Sequence, residues 1–125
     1  MSCAAANATI TLLKESLVAN AAAVGAHLLD GLRELQKKHL LIGDVRGKGL
    51  MIGIELVRDR QTKERAVDER NALVQAMFRR GVLVLGAGKN AIRLAPPLVL
   101  SKPQADSVLQ VFDEAVAEVS TPARA

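Results

Sequence analysis

Apolar and polar residues change their spacing several times along the 125-residue chain, and each change marks an element. Residues 3–14 are rich in small side chains, with Ile10 and Leu13 on one side, and read as a helix. Ser16 is placed to cap a second, longer helix, in which Leu17, Ala21, Val24, Leu28, Leu32 and Leu35 recur at steps of three and four. Asp30, Arg33, Glu34, Lys37 and Lys38 take its other face, so this helix is amphipathic and covers something. The period then falls to two. Within DVRGKGLMIGIELV (residues 44–57), Leu50, Ile52, Ile54 and Leu56 alternate with Met51, Gly53, Glu55 and Val57, which predicts a strand. Gly53 leaves a gap on its second face, where a backbone or a ligand can approach closely.

The polar stretch RDRQTKERAVDER reads as a loop entering a third helix, which turns Leu73, Val74, Met77 and Phe78 inward and ends near Arg80. Arg79 and Arg80 suit its C-terminal dipole, and Gly81 suits the left-handed position beyond it. VLVL (82–85) and AIRL (91–94) predict two short strands joined through residues 86–90, with Pro96-Pro97 stopping the second. Ser101 and Gln104 form a capping box that opens a last helix, striped by Ala105, Val108, Leu109, Phe112, Ala115, Val116 and Val119. STPARA reads as a frayed tail. The order is helix–helix–strand–helix–strand–strand–helix. It predicts an α+β fold, a small mostly antiparallel sheet covered on one face by helices, in a single domain over residues 1–125.

Composition narrows the chemistry. The net charge is +4, but the basic residues are scattered, and the only aromatic residues are Phe78 and Phe112. Nucleic-acid binding calls for a basic stripe and stacking platforms, so no nucleic-acid partner is expected. One cysteine excludes an internal disulfide, and Cys3 among alanines suggests a packed helix position. His27 and His39 are too isolated for a metal cluster, so no metal ligand is expected. No apolar run approaches a membrane span and the N-terminus lacks signal-peptide character, which points to a cytoplasmic chain without a membrane partner. Gly47-Lys48-Gly49 and Gly86-Ala87-Gly88 do not extend to a phosphate-loop motif and suit tight turns, with Lys48 exposed in the first. No nucleophile has an adjacent base, so no catalytic residue is assigned.

Arg93 stands out. Alternation places Ile92 and Leu94 toward the helices and Ala91, Arg93 and Ala95 on the far face, where small residues surround one guanidinium. The side chain cannot lose its proton. It is a solvated arginine, one half of an ion pair with Glu55 as the internal candidate, or a bidentate clamp for a ligand carboxylate.

DVRGKGLMIGIELV, the following helix, and GVLVLGAGKNAIRLAPPLVLS with its capped terminal helix together resemble a known domain. It is the C-terminal small domain of class III (acetylornithine/ornithine/4-aminobutyrate type) pyridoxal-phosphate aminotransferases, which belong to the fold-type I enzymes. SCAAANATITLLKE resembles the helix that leads into it, so residues 1–15 lead in from a large domain. The resemblance implies that Arg93 binds the substrate carboxylate, or in members with ω-amino substrates pairs with a glutamate of the large domain. It implies that Gly47, Gly49 and Gly53 serve shape, and that pyridoxal phosphate belongs to the parent enzyme and is not bound by this chain alone. The partners it implies are the large catalytic domain, a second subunit in a homodimer or higher oligomer, and a carboxylate-bearing amino acid. The expected reaction is amino transfer to 2-oxoglutarate, with 4-aminobutyrate or acetylornithine as donor. The Schiff-base lysine and the other cofactor-binding groups fall upstream in that family, so the chain alone is expected to be inactive and Met1 to be an internal residue or a secondary start. Two other readings stay open: a free-standing self-associating interaction module, and a domain of an amino-acid racemase on the same scaffold.

Overall fold

The computed structural model describes residues 1–120, so the tail expected at residues 121–125 lies outside the described residues. Ser120 ends the last helix and does not open a tail. The elements are α1 (Ser2–Leu12), α2 (Val18–Lys38), β1 (Ile42–Lys48), β2 (Met51–Asp59), β3 (Glu64–Arg65), α3 (Val67–Arg79), β4 (Leu85–Ala87), β5 (Ala91–Leu94) and α4 (Lys102–Ser120).

The first two helices are continuous, contrary to the break expected at Ser16. A π turn over Leu13–Leu17 joins them, and Leu17 enters α2 with helical backbone angles (φ −68°, ψ −35°) and no side-chain cap. A serine caps only where the backbone leaves the helical region, and no glycine or proline forces it to leave here. Only α2 has a buried face, formed by Val24, Gly25, Leu28 and Leu32, while no residue of α1 is buried. The carbonyls at the end of α2 and in the link to β1 are gathered by one side chain. The Arg60 guanidinium donates to the carbonyls of His39 and Ile42 at 2.9 Å, to Leu40 at 3.3 Å, and to Gln36.

Within residues 44–57 one strand was expected, over the alternation of Leu50–Val57, after a tight turn at Gly47-Lys48-Gly49. The structure instead adds a strand before the turn and forms the hairpin β1–β2, with Lys48 opposite Met51 and Gly47 opposite Ile52. The first strand is hard to read because a register shift between Ile42 and Asp44 breaks its alternation. Gly49 takes the turn at φ +57°, and a Cβ on Gly25 would lie 2.2 Å from its carbonyl oxygen. Two glycines therefore let α2 lie directly against the hairpin. Leu50, expected within the strand, is buried from the turn. The stretch read as a loop after β2 contains β3, which pairs with β2.

The strand expected at 82–85 is displaced toward the C-terminus. Pairing runs from Leu85 opposite Arg93 to Ala87 opposite Ala91, leaving residues 82–84 outside the sheet. Gly86 is thus part of a strand and the turn covers residues 88–90. Beyond β5 lie Pro96 and Pro97, which have no N–H to extend a ladder.

The main sheet has the order β1-β2-β5-β4 and every pairing is antiparallel. Helices α2, α3 and α4 cover one face, where Ile52, Ile54, Ile92 and Leu94 meet Leu28, Leu32, Met77 and Phe112 in one core. This is the expected α+β architecture. Phe78, expected inward, is 59% exposed, because α3 turns Leu73, Ala76 and Met77 to the core instead. The capping box of α4 forms as expected, with Gln104 Oε1 accepting from the Ser101 amide at 2.9 Å and Ser101 Oγ accepting from the Gln104 amide at 3.4 Å.

Candidate functional site

The uncovered face of the sheet carries the charged residues. Register places Arg46, Gly53, Arg93 and Leu85 side by side across its four strands, and Asp44, Glu55, Ala91 and Ala87 in the next row. Arg93 is exposed on this face between buried Ile92 and Leu94, as its alternation required. Glu55 is not its partner. Arg46 reaches Glu55 at 3.2 Å and Asp44 at 2.5 Å, and Asn90 donates to the other Glu55 oxygen at 3.4 Å. Asp44, followed by Glu55, raises the pKa of Arg46 above its ordinary value. Glu55 selects Arg46 because the hairpin puts that arginine diagonally across the adjacent pair, a relation hidden while β1 went unread. The Arg93 side chain makes no hydrogen bond and no ion pair with any described residue.

Gly53 deepens the contrast. A Cβ there would meet only Arg46, at 3.9 Å, which is ordinary contact. Packing within this chain does not demand glycine, so the space beside Arg93 is open to something outside it. On the opposite flank Leu85 is 60% exposed and gives Arg93 an apolar neighbour. Leu85 was read as strand, but its place beside Arg93 needed the displaced pairing of β4.

Other candidates resolve into structure. Lys48 is exposed at the hairpin, as its flanking glycines predicted. A Cβ at Gly86 would lie 1.9 Å from the Arg70 guanidinium, so that glycine makes room for an arginine and not for a phosphate. His27 pairs with Asp106 at 2.6 Å and His39 with Asp113 at 2.5 Å. Lys38, followed by His39, holds the Asp113 carboxyl below its ordinary pKa. Among the described residues no group of three His, Cys, Asp or Glu is placed to hold a metal ion, and no helix is long and apolar enough to cross a membrane. Cys3 is exposed on α1 and not packed as expected, since no described residue covers that helix.

A groove of about 280 Å³ opens at one side of Arg93. Apart from Arg93 its walls are apolar, with neither a lysine to form an imine nor a carboxylate to face a ring nitrogen. The residues gathered here do not fit pyridoxal phosphate, and no step through that cofactor is assigned to them.

This half-covered antiparallel sheet is the fold of one part of a transaminase. It superposes on an amine transaminase from an uncultivated Pseudomonas species, in its PLP-bound form, with a TM-score of 0.87 and 38% identity over 94% of this chain and 27% of that one. The family described as "Aminotransferase class-III" matches residues 1–116, and the chain belongs to this family. It is similar to a leucine/methionine racemase of Thermococcus litoralis (40% identity over 92% of this chain and 26% of that protein). It is also similar to the alanine–glyoxylate aminotransferase 2 homolog 2 of Arabidopsis thaliana (42% identity over 85% of this chain and 23% of that protein). The chain thus spans about a quarter of the length of the relatives it matches.

Proposed function

We propose that this chain is the substrate-gripping domain of a pyridoxal-phosphate-dependent class III enzyme, in which Arg93 binds the carboxylate of an amino-acid substrate. The carrying observation is a guanidinium with no partner among the described residues, set on a bare sheet face beside a glycine that the chain's own packing does not require. A permanently charged fork in that setting grips a carboxylate through two parallel hydrogen bonds and fixes its orientation. On this reading residues 1–125 act as one domain, residues 1–15 lead in from a large catalytic domain that supplies the cofactor site, and the enzyme works as a cytoplasmic homodimer or higher oligomer. The reaction is amino transfer to 2-oxoglutarate, from a 4-aminobutyrate- or acetylornithine-type donor whose carboxylate lies away from the reacting amine. Arg93 then fixes the inert end of the substrate and leaves the chemistry to groups outside this chain.

The test is Arg93→Lys in the enzyme that carries this chain. A lysine keeps the charge and loses the fork, so KM for the carboxylate substrate should rise tenfold or more, with cofactor content unchanged. Equal losses of substrate and cofactor binding would overturn the reading by making Arg93 structural. A racemase is the second reading, favoured by the 40% identity to a leucine/methionine racemase. It keeps the role of Arg93 and is decided by whether the enzyme inverts the α-carbon of an amino acid with no keto-acid acceptor present.

A further inference from the structure

Arg46 and Arg93 stand on either side of Gly53, the first on β1 and the second on β5. Glu55 lies one row along, opposite Asp44 on β1 and Ala91 on β5, so both arginines are its diagonal neighbours. Side chains of this length reach across such a diagonal. The path to Arg93 is no longer than the path to Arg46. The Val57 amide donates toward β1, to Leu41, and the Leu56 amide donates toward β5, to Asn90, both at 2.9 Å. Gly53 and Glu55 alternate with Leu56 as Val57 does, so their own backbone groups turn to β1. They therefore face Arg93 and Ala91 as non-hydrogen-bonded pairs, in which side chains stand closer. Yet Glu55 accepts from Arg46, at 3.2 Å, while the Arg93 side chain has no partner among the described residues.

The choice is made on the β1 side. Asp44 and Glu55 are like charges directly opposite each other, an arrangement that costs stability unless a cation joins them. Arg46 reaches both, Asp44 at 2.5 Å, and its side chain leans over Gly53, with Cγ 4.0 Å from where a Cβ would sit. Buried Asn90 donates to the second Glu55 oxygen at 3.4 Å and to the Leu56 carbonyl at 2.6 Å. Without the Arg46 guanidinium, two carboxylates would face each other, with Arg93 the unengaged guanidinium on the matching diagonal. We infer that Arg46 is a positioning residue: by occupying Glu55 it prevents a Glu55–Arg93 pair and keeps the Arg93 charge uncommitted. Lys63 lines the opening beside Asp44 and Glu55 and is the competing cation. Arg60, in the same opening, is already engaged with backbone carbonyls. The exchange of partners follows from the register; only its consequence for substrate binding rests on the role proposed for Arg93.

The experiment follows the arginine Nε–Hε signals of the 125-residue chain by NMR in Arg46→Met, in Glu55→Gln and in the double variant. Glu55→Gln alone should leave the Arg93 signal in place, because the parent lacks that pair. Arg46→Met should move it, and adding Glu55→Gln should return it to the parent position. Arg46→Lys keeps a cation beside Asp44 and Glu55 and should leave it unmoved. An Arg93 signal indifferent to Arg46→Met would overturn the inference, with Glu55 then passing to Lys63 or to water. A shift that Glu55→Gln fails to reverse would also overturn it, since a distorted hairpin gives that result. In the enzyme that carries this chain, Arg46→Met should raise KM for the carboxylate substrate roughly two- to fivefold, the range for displacing an exposed ion pair. Its kcat and cofactor content should hold, and the double variant should restore KM. If Arg93→Lys raises KM and Arg46→Met does not, the inference fails and the role of Arg93 stands. If Arg93→Lys leaves KM unchanged, the role of Arg93 fails, and the NMR comparison upholds or overturns the exchange of partners by itself.

Discussion

The Arg93 guanidinium makes no hydrogen bond or ion pair with the described residues of its own chain, so its contribution to binding separates cleanly from any contribution to stability. Arg93→Gln should leave the unfolding free energy, read from urea melts, within about 0.5 kcal/mol of the parent, as for an exposed residue outside any network. Its neighbour makes the complementary case. Gly53→Ala has room for the methyl group and reduces the freedom of the unfolded chain, so stability should hold or rise by about 0.4–1 kcal/mol. Carboxylate binding should weaken as the gap fills. Asp113 behaves in the opposite way, contributing to stability and not to the site. Its carboxyl is depressed by Lys38 and then by His39, whereas the unfolded chain takes up a proton near the ordinary value of about 3.9. Stability therefore rises with pH between the folded and unfolded values; the contribution is complete above the unfolded value and is lost as pH falls through the folded one. Asp113→Asn should cost about 0.5–1 kcal/mol at pH 7, and the gap from the parent in urea melts should narrow as the pH is lowered below the ordinary carboxylate value.

Among the elements, legibility followed the strength of the apolar period. The stripes of α2 and α4 and the alternation of β2 and β5 were readable because each buries a regular set of large side chains. β1 was not readable: Val45 is its one buried residue after the register shift, and Gly47 carries no side chain to mark the inner face. The cost extended to the site, because Arg46 and its hold on Glu55 become visible only once β1 lies beside β2. The orientation of Arg93 needed only the alternation of AIRL, whereas the groove needed the knowledge that residues 82–84 leave the sheet. The contact between α2 and the hairpin gives a sharp test at this scale. Gly25→Ala sets a methyl group against the Gly49 carbonyl and should destabilise the protein by about 1–3 kcal/mol, read from urea unfolding. The helix propensity of alanine alone would have the reverse sign.

Across the whole molecule, one sheet face is packed and the other is bare, and α1 has no residue buried. Exposed Ile10, Leu12 and Val18 lie along the same helical stretch, and Met51 and Leu85 lie on the bare face. Such surfaces are normally covered by another body. On the proposed reading that body carries the cofactor chemistry, so the chain alone should develop no saturable long-wavelength absorbance with pyridoxal phosphate and should not transaminate. A stoichiometric absorbance abolished by replacing a single lysine would contradict this. Sedimentation addresses the interaction-module reading, which requires self-association at high concentration, whereas the enzyme-domain reading allows a monomer.

The π turn at Leu13–Leu17 gives α1 the geometry of a lever. Its 11 residues extend about 16 Å at 1.5 Å per residue. A tilt of about 10° at the turn would carry the tip through roughly 3 Å, about the length of a hydrogen bond. Deleting one residue from the turn would restore a regular helix and rotate every side chain of α1 by about 100° about the axis. The phase of that helix, and hence which of its sides meets whatever lies beyond Ser2, is thus set by a single-residue insertion.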